Sequence, residues 1–175
     1  MKKRIAFVHN AMWEMYNFRG ELLQELKAKG YEITVICPPD EKNAHYFTDL
    51  GIKLLTVPMS RKGTNIKEDV QLVKNLFKVY KKEKFDLVFH YTIKPNIYGT
   101  LAAKLAGIKS IAITTGLGYV FLHNNITSLI AKFMYKFSLA FANEVWFLND
   151  DDMNIFLDKD LITERQAFKL PSEGI

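Results

Sequence analysis

Short apolar runs alternate with amphipathic stretches from one end of this 175-residue chain to the other, and few folds are compatible with that alternation. Residues 5–8, 33–37, 53–57, 87–90, 110–114 and 144–148 read as six strands, with 167–170 as a candidate seventh. Most of these runs, such as Ile5-Ala6-Phe7-Val8 and Ile111-Ala112-Ile113, are apolar without interruption. Continuous rather than alternating hydrophobicity marks strands covered on both faces, as in parallel sheets. Helix patterns fall between them at 17–29, 41–50, from 65 onward, 95–106, 125–142 and 150–156. The order predicts an α/β domain: a doubly wound, mainly parallel sheet of six to seven strands, with helices on both faces and right-handed crossovers.

Local signals place the helix ends. Asn17 is positioned to cap the first helix, with Leu22, Leu23 and Leu26 as its apolar stripe and Gly30 ending it. Asn65 and Glu68 form a capping-box pair, and Ile66, Val70, Val73, Phe77 and Tyr80 share one face of the helix that follows. Pro95 suits a first helical turn, because that turn does not use the N–H proline lacks. Asn149 or Asp150 caps the helix at 150–156. Three consecutive aspartates, Asp150 to Asp152, cannot share one helix face, so capping with dipole compensation explains them better than a metal site.

Composition narrows the partners. The net charge of +5 favours phosphates, acidic lipids or nucleic acid without choosing among them. Cys37 is the single cysteine, which rules out an intramolecular disulfide and Cys-rich metal sites. The basic start Met1-Lys2-Lys3-Arg4 leads into an apolar run that stops at His9-Asn10, a strand rather than a signal peptide. No run of ~18 apolar residues is present to span a bilayer.

Ligands of such sheets bind at the carboxyl ends of the strands. There the first turn, His9-Asn10-Ala11-Met12, lacks the glycine fingerprint of dinucleotide sites, and no P-loop occurs anywhere. Asn17-Phe18-Arg19-Gly20 opens the first helix pattern, where free amides and the dipole favour an anion. Two readings of it are open: Arg19 as an anion contact, or Arg19 solvated with Gly20 permitting helix–sheet contact. Arg61-Lys62-Gly63-Thr64-Asn65 is a second candidate anion contact, although a polar turn with a helix cap explains it better. Thr92, Lys94 and Asn96 follow the fourth strand, with Lys94 a point charge for a phosphate. His90 ends that strand and either faces the crevice or is a satisfied, half-buried histidine. Thr114-Thr115-Gly116-Leu117-Gly118-Tyr119 carries two glycines that permit close backbone approach. The helix at 125–142 brings Phe133, Phe137 and Phe141 beside Lys132 and Lys136. Core packing explains most of that pattern; a bilayer surface is the sharper alternative, as it is for the basic run Lys74, Lys78, Lys81, Lys82 and Lys84.

Taken together, Asn17-Phe18-Arg19-Gly20, Tyr91-Thr92-Ile93-Lys94-Pro95-Asn96, Thr115-Gly116-Leu117-Gly118-Tyr119, Asn149-Asp150-Asp151 and Leu170-Pro171-Ser172-Glu173-Gly174-Ile175 resemble the N-terminal half of bacterial GT-B glycosyltransferases. The subgroup is the family-four retaining enzymes that build capsule, O-antigen (lipopolysaccharide) or protein-linked glycans. The resemblance implies two Rossmann-like domains facing across a cleft. Residues 1–170 would form the acceptor-side domain, 171–175 would begin the connection, and the nucleotide-sugar domain would be absent. It implies an acceptor glycan on a polyprenyl pyrophosphate and a nucleotide-sugar donor used as substrate. It implies no cofactor, no metal and no nucleic acid.

Asn17, Arg19, Gly20, Arg61, His90, Thr92, Lys94 and Asn96 would meet the acceptor or its phosphate. Thr115, Gly116, Leu117, Gly118, Tyr119, Glu173 and Gly174 would lie near the donor. The expected location is cytoplasmic, at the inner membrane face, and the fragment alone would be inactive. Many family members carry a histidine in the loop after the fifth strand; here that loop reads Thr115-Gly116-Leu117-Gly118, so its role is not carried over. The other readings are a non-catalytic, membrane-associated scaffold subunit of a split glycosyltransferase, and half of a sugar-nucleotide epimerase.

Overall fold

In the computed structural model, which describes residues 2–61, 63, 65–116 and 126–171, the strands form one sheet. In chain order they are β1 (Arg4–Val8), β2 (Glu32–Cys37), β3 (Lys53–Thr56), β4 (Leu87–Tyr91), β5 (Lys109–Thr114), β6 (Glu144–Phe147) and β7 (Ala167–Lys169). All neighbouring pairs are parallel, in the order β3-β2-β1-β4-β5-β6-β7. The candidate seventh strand is therefore real, and the doubly wound α/β expectation holds.

The helices are α1 (Met12–Ala28), α2 (His45–Asp49), α3 (Ile66–Glu83), α4 (Thr100–Ala106), α5 (Ile126–Leu139) and α6 (Asp150–Asp158). A π-helical turn, Pro95–Gly99, runs into α4. Winding reverses at β1, which pairs with β2 on one side and β4 on the other. Helices α1 and α2 pack on one face of the sheet, against Phe7, Val35, Cys37 and Tyr91. Helices α3 and α4 pack on the other, against Ala6, Val8, Ile36 and Val88. Farther along that second face, α5 and α6 cover Ala112, Val145 and Phe147.

Two helix expectations are corrected. Helix α1 starts five residues before Asn17, at Met12, so Asn17 is an exposed mid-helix residue rather than a cap. Its N-cap is Ala11, which has no capping side chain of its own; instead the Ala11 N–H donates to His9 Nδ1 at 3.0 Å. Helix α3 does begin at the Asn65 cap, whose side chain accepts from Lys67 and Glu68 N–H. The face it buries, however, is Asp69, Leu72, Leu76, Tyr80 and Glu83, while Ile66 and Val70 stay exposed. The rotation brings Asp69 inward, where Lys94 and Tyr98 meet it. The Asn149 cap of α6 holds as expected, accepting from Asp152 N–H at 2.7 Å.

The junction of β4 with the π turn is close-packed. His90 is fully buried, its Nε2 2.9 Å from the Tyr80 hydroxyl and its Nδ1 3.4 Å from Thr100 Oγ1. A Cβ at Gly99 would stand 2.5 Å from the imidazole ring, so only glycine lets the turn lie this close. Gly99→Ala is expected to destabilise the domain by about 1–3 kcal/mol, read from urea unfolding. Burial pushes the His90 pKa down to about 3. The unfolded chain would bind that proton near the ordinary pKa of about 6.5, so the buried neutral ring supports the fold above that pH. Stability should fall as pH drops from about 6.5 toward 3, and His90→Gln should flatten that part of a Tm–pH profile.

Candidate functional site at the carboxyl edge

The reversal at β1 sends the loops after β1 and β4 apart, and the crevice of a doubly wound sheet opens there. Two adjacent hollows occupy this edge. One, of about 600 Å³, is lined by residues including Pro58, Ser60, Lys67, Asp69, Asn75 and Lys94. The other, of about 400 Å³, is lined by residues including Asn10, Trp13, Glu14, Asp40, Asn43 and Arg61. Pro38, Pro39 and Met59 line both. Indole, amide, carboxylate and guanidinium groups thus share one polar hollow.

The Lys94 ammonium is buried and committed. It donates to Asp69 Oδ1 and to Ser60 Oγ, each at 2.7 Å. Asp69 also accepts from the Tyr98 hydroxyl at 2.8 Å. The lysine therefore ties the β4 loop to α3 while its stem lines the crevice, and its charge is matched by a carboxylate rather than offered whole to a phosphate. Asn96 is also used internally, donating to the Ile113 carbonyl of β5 at 3.0 Å. His90, expected at the crevice or half-buried, lies wholly inside the fold.

Thr92 adopts φ = +67°, a left-handed conformation that is costly for a β-branched residue. Its carbonyl accepts from Asn96 N–H at 2.9 Å, and its Oγ1 is buried without a partner among the described residues. Thr114 Oγ1 is in the same condition. These residues follow the paired Tyr91 and Ile113, so two unsatisfied hydroxyls end neighbouring strands. Buried polar groups are usually satisfied, and such orphans concentrate where a ligand or water completes them.

Arg19 does not sit at a helix N-terminus, because α1 has already turned twice before reaching it. It is buried against the sheet edge, its guanidinium 5.1 Å from the Tyr91 ring centroid and its Nη1 donating to the Phe18 carbonyl at 2.7 Å. Gly20 beside it is buried, and a Cβ there would meet only the Tyr16 ring at 3.6 Å. Arg61 is exposed and ion-paired with Glu14 of α1. Thr115 and Gly116 are exposed at the end of β5, with Gly116 at φ = +140° and, among the described residues, nothing within 4 Å of where a Cβ would stand. Leu117, Gly118, Tyr119, Glu173 and Gly174 lie outside the described residues. Among the described residues no group of three potential ligand side chains is placed to hold a metal ion.

Sequence reasoning missed His9. It directly follows β1 at the reversal point, with its ring 6.0 Å from Tyr91 and its Nε2 3.9 Å from Glu14 Oε2. Burial, with the Arg19 and Arg61 guanidiniums nearby, pushes its pKa down to about 4. Its position immediately after the first strand was the available signal.

Residues 4–149 match the family described as Glycosyl transferase 4-like. The chain is 32% identical over 180 residues to the N,N'-diacetylbacillosaminyl-diphospho-undecaprenol alpha-1,3-N-acetylgalactosaminyltransferase of Campylobacter jejuni, covering 98% of this chain and 46% of the relative. It is 24% identical over 146 residues to an Escherichia coli UDP-Gal:alpha-D-GlcNAc-diphosphoundecaprenol alpha-1,3-galactosyltransferase, covering 83% and 37%. The chain thus spans less than half the length of these curated relatives. A Rickettsia africae glycosyltransferase structure aligns with TM-score 0.73 at 19% identity, over 96% of this chain and 42% of that one. A UDP-N-acetylglucosamine 2-epimerase aligns with TM-score 0.72 at 17% identity, over 97% and 48%. At such identities these two structures speak to fold alone.

The Lys94–Asp69 pair makes a direct prediction. Lys94→Met leaves Asp69 buried without its cation and should cost about 3–5 kcal/mol in chemical denaturation. Adding Asp69→Leu should recover much of that loss, because both charges then leave the interior together.

Proposed function

This chain belongs to the glycosyl transferase 4-like family, and from that we propose that it is the acceptor-side half of a retaining glycosyltransferase. The whole enzyme would move a sugar from a nucleotide sugar to a polyprenyl-diphosphate-linked glycan, in capsule, lipopolysaccharide or related glycan assembly. The observation that carries the reading is the 32% identity, over nearly the whole chain, to a relative named for a diphospho-undecaprenol acceptor. The match to under half of that relative supports reading residues 1–170 as one domain of two, with 171–175 leading toward a nucleotide-sugar domain. The carboxyl-edge crevice supports it as well. Its fixed donors and orphaned hydroxyls suit sugar hydroxyls and phosphate oxygens, with Arg19, Thr92, Arg61, Thr115 and Gly116 as the contacts on this side.

A seat on the inner membrane face belongs to the same reading. Leu129, Ile130, Phe133 and Phe137 of α5, together with the following Phe141, are exposed, and Lys104 stands 5.6 Å from the Phe141 ring centroid. Spaced at helical periods and accompanied by Lys132 and Lys136, this stripe suits an anionic bilayer surface. Among the described residues no helix is long and apolar enough to cross a membrane. The likeness to epimerases is one of fold and favours no epimerase chemistry, and no observation favours a scaffold subunit.

Calorimetry on this chain should detect geranyl diphosphate, a short acceptor analogue, and should find UDP-N-acetylgalactosamine at least about tenfold weaker, because the donor's main contacts would lie on the other domain. The reverse order of affinities would assign this chain to the donor side and overturn the reading. Flotation with vesicles containing anionic lipid should carry the chain upward. Phe133→Ser with Phe137→Ser should leave it at the bottom with its Tm unchanged; equal flotation would remove the membrane seat.

A further inference from the structure

We propose that His9 is held as a neutral imidazole with its proton on Nε2, and that this N–H donates to a phosphate oxygen of the acceptor rather than acting as a base. The inference deepens the acceptor reading above and rests on it. His9 is the first residue past β1, and its own N–H donates to the Ile36 carbonyl at 3.1 Å, so the backbone that carries the ring is fixed. The ring is fixed by a second bond: the Ala11 N–H lies 3.0 Å from Nδ1. A backbone amide can only donate, so Nδ1 presents its lone pair and the neutral ring must carry its hydrogen on Nε2.

The surroundings decide what that hydrogen can do. Nε2 faces Glu14 Oε2 at 3.9 Å, beyond hydrogen-bond reach, and Glu14 is held by Arg61. Both Glu14 and Arg61 line the polar hollow of about 400 Å³. Tyr91 stands with its ring centroid 6.0 Å from that of His9, and the Arg19 guanidinium lies over it. The charged groups around His9 are thus two guanidiniums and one carboxylate, a local excess of one positive charge that favours an anionic oxygen. Burial, with the same guanidiniums adding to it, opposes protonation of the ring and pushes its pKa down to about 4. An imidazole with so low a pKa is a poor base at neutral pH, yet as an N–H donor it loses nothing.

The competing explanation is that His9 only fixes the entry to α1 through Ala11. Two substitutions separate the roles. His9→Asn puts a carbonyl oxygen near the Nδ1 position, keeping the Ala11 bond, and has nothing at the Nε2 position. His9→Gln puts an amide N–H near Nε2. In calorimetry with geranyl diphosphate, His9→Asn should bind about tenfold or more weakly at unchanged Tm, the loss of one charge-assisted hydrogen bond. His9→Gln should retain most of the affinity. Nitrogen-15 spectra of the imidazole at pH 7 should show the hydrogen on Nε2, with no titration between pH 8 and 5.5.

Wild-type affinity in His9→Asn, or a ring protonated on Nδ1 or titrating near 6.5, would overturn the assignment while leaving the acceptor reading in place. Failure of the wild-type chain itself to bind geranyl diphosphate would overturn the acceptor reading, and this inference with it.

Discussion

β1 is hydrogen-bonded along both edges, by β2 and by β4, and the arrangement of the molecule depends on that double pairing. Parallel strands need a crossover between them, and right-handed crossovers running in opposite directions across the sheet, β1 to β3 one way and β3 to β5 the other, must lie on opposite faces. Helices α1 and α2 therefore cover one face, and α3 and α4 the other. The loops that leave β1 and β4 diverge as a result. The space between them is a consequence of chain direction, and His9, Tyr91 and Arg19 meet there because β1, β4 and α1 must.

What holds the edge of that space in shape is a set of buried polar contacts around the β4 loop. Lys94 reaches α3 through Asp69, Asn96 reaches β5 through the Ile113 carbonyl, and His90 reaches α3 and α4 through Tyr80 and Thr100. Between them they join β4 and its loop to α3, α4 and β5, so this segment is anchored in several directions at once. Such anchoring is what allows Thr92 to remain at a positive φ, since a strained residue persists only where its neighbours over-determine it. Rigid support beneath a site whose own residues are strained and incompletely satisfied is the arrangement expected where a ligand supplies the missing partners.

The strands were legible in the sequence because each is a compact apolar run bounded by glycine, proline or polar residues, and a parallel sheet buries both faces of such runs. Helix ends were legible where a capping side chain does the capping, as at Asn65 and Asn149. The start of α1 was hidden because its first amide is met by His9, a residue that no capping rule flags. The buried face of α3 was misjudged because the apolar spacing pointed to Ile66 and Val70, whereas Lys94 draws Asp69 in from 25 residues away. The same pair changed the meaning of Lys94. A lysine after a strand looks like a phosphate contact until the fold supplies a carboxylate, and no local pattern announces that partner. Crevice position was thus predictable from alternation alone, while which side chains spend their polarity inside the fold was a tertiary matter.

One face of the sheet is unevenly clothed. Beyond α1, a hollow of about 520 Å³ runs over Phe7, Phe89, Tyr91, Ile113 and Trp146, and Phe168 at the outer strand is exposed. Phe89, Trp146 and Phe168 follow one another at centroid separations of 5.4 and 5.6 Å, an aromatic strip still in contact with water. Apolar surface that is already hydrated in the native state contributes nothing when the chain unfolds. The heat-capacity increment of this chain, and the steepness of its denaturant curve, should therefore sit below those of an equally long domain with both faces covered. Whatever comes to lie on that strip will register the difference as a negative heat-capacity change of association.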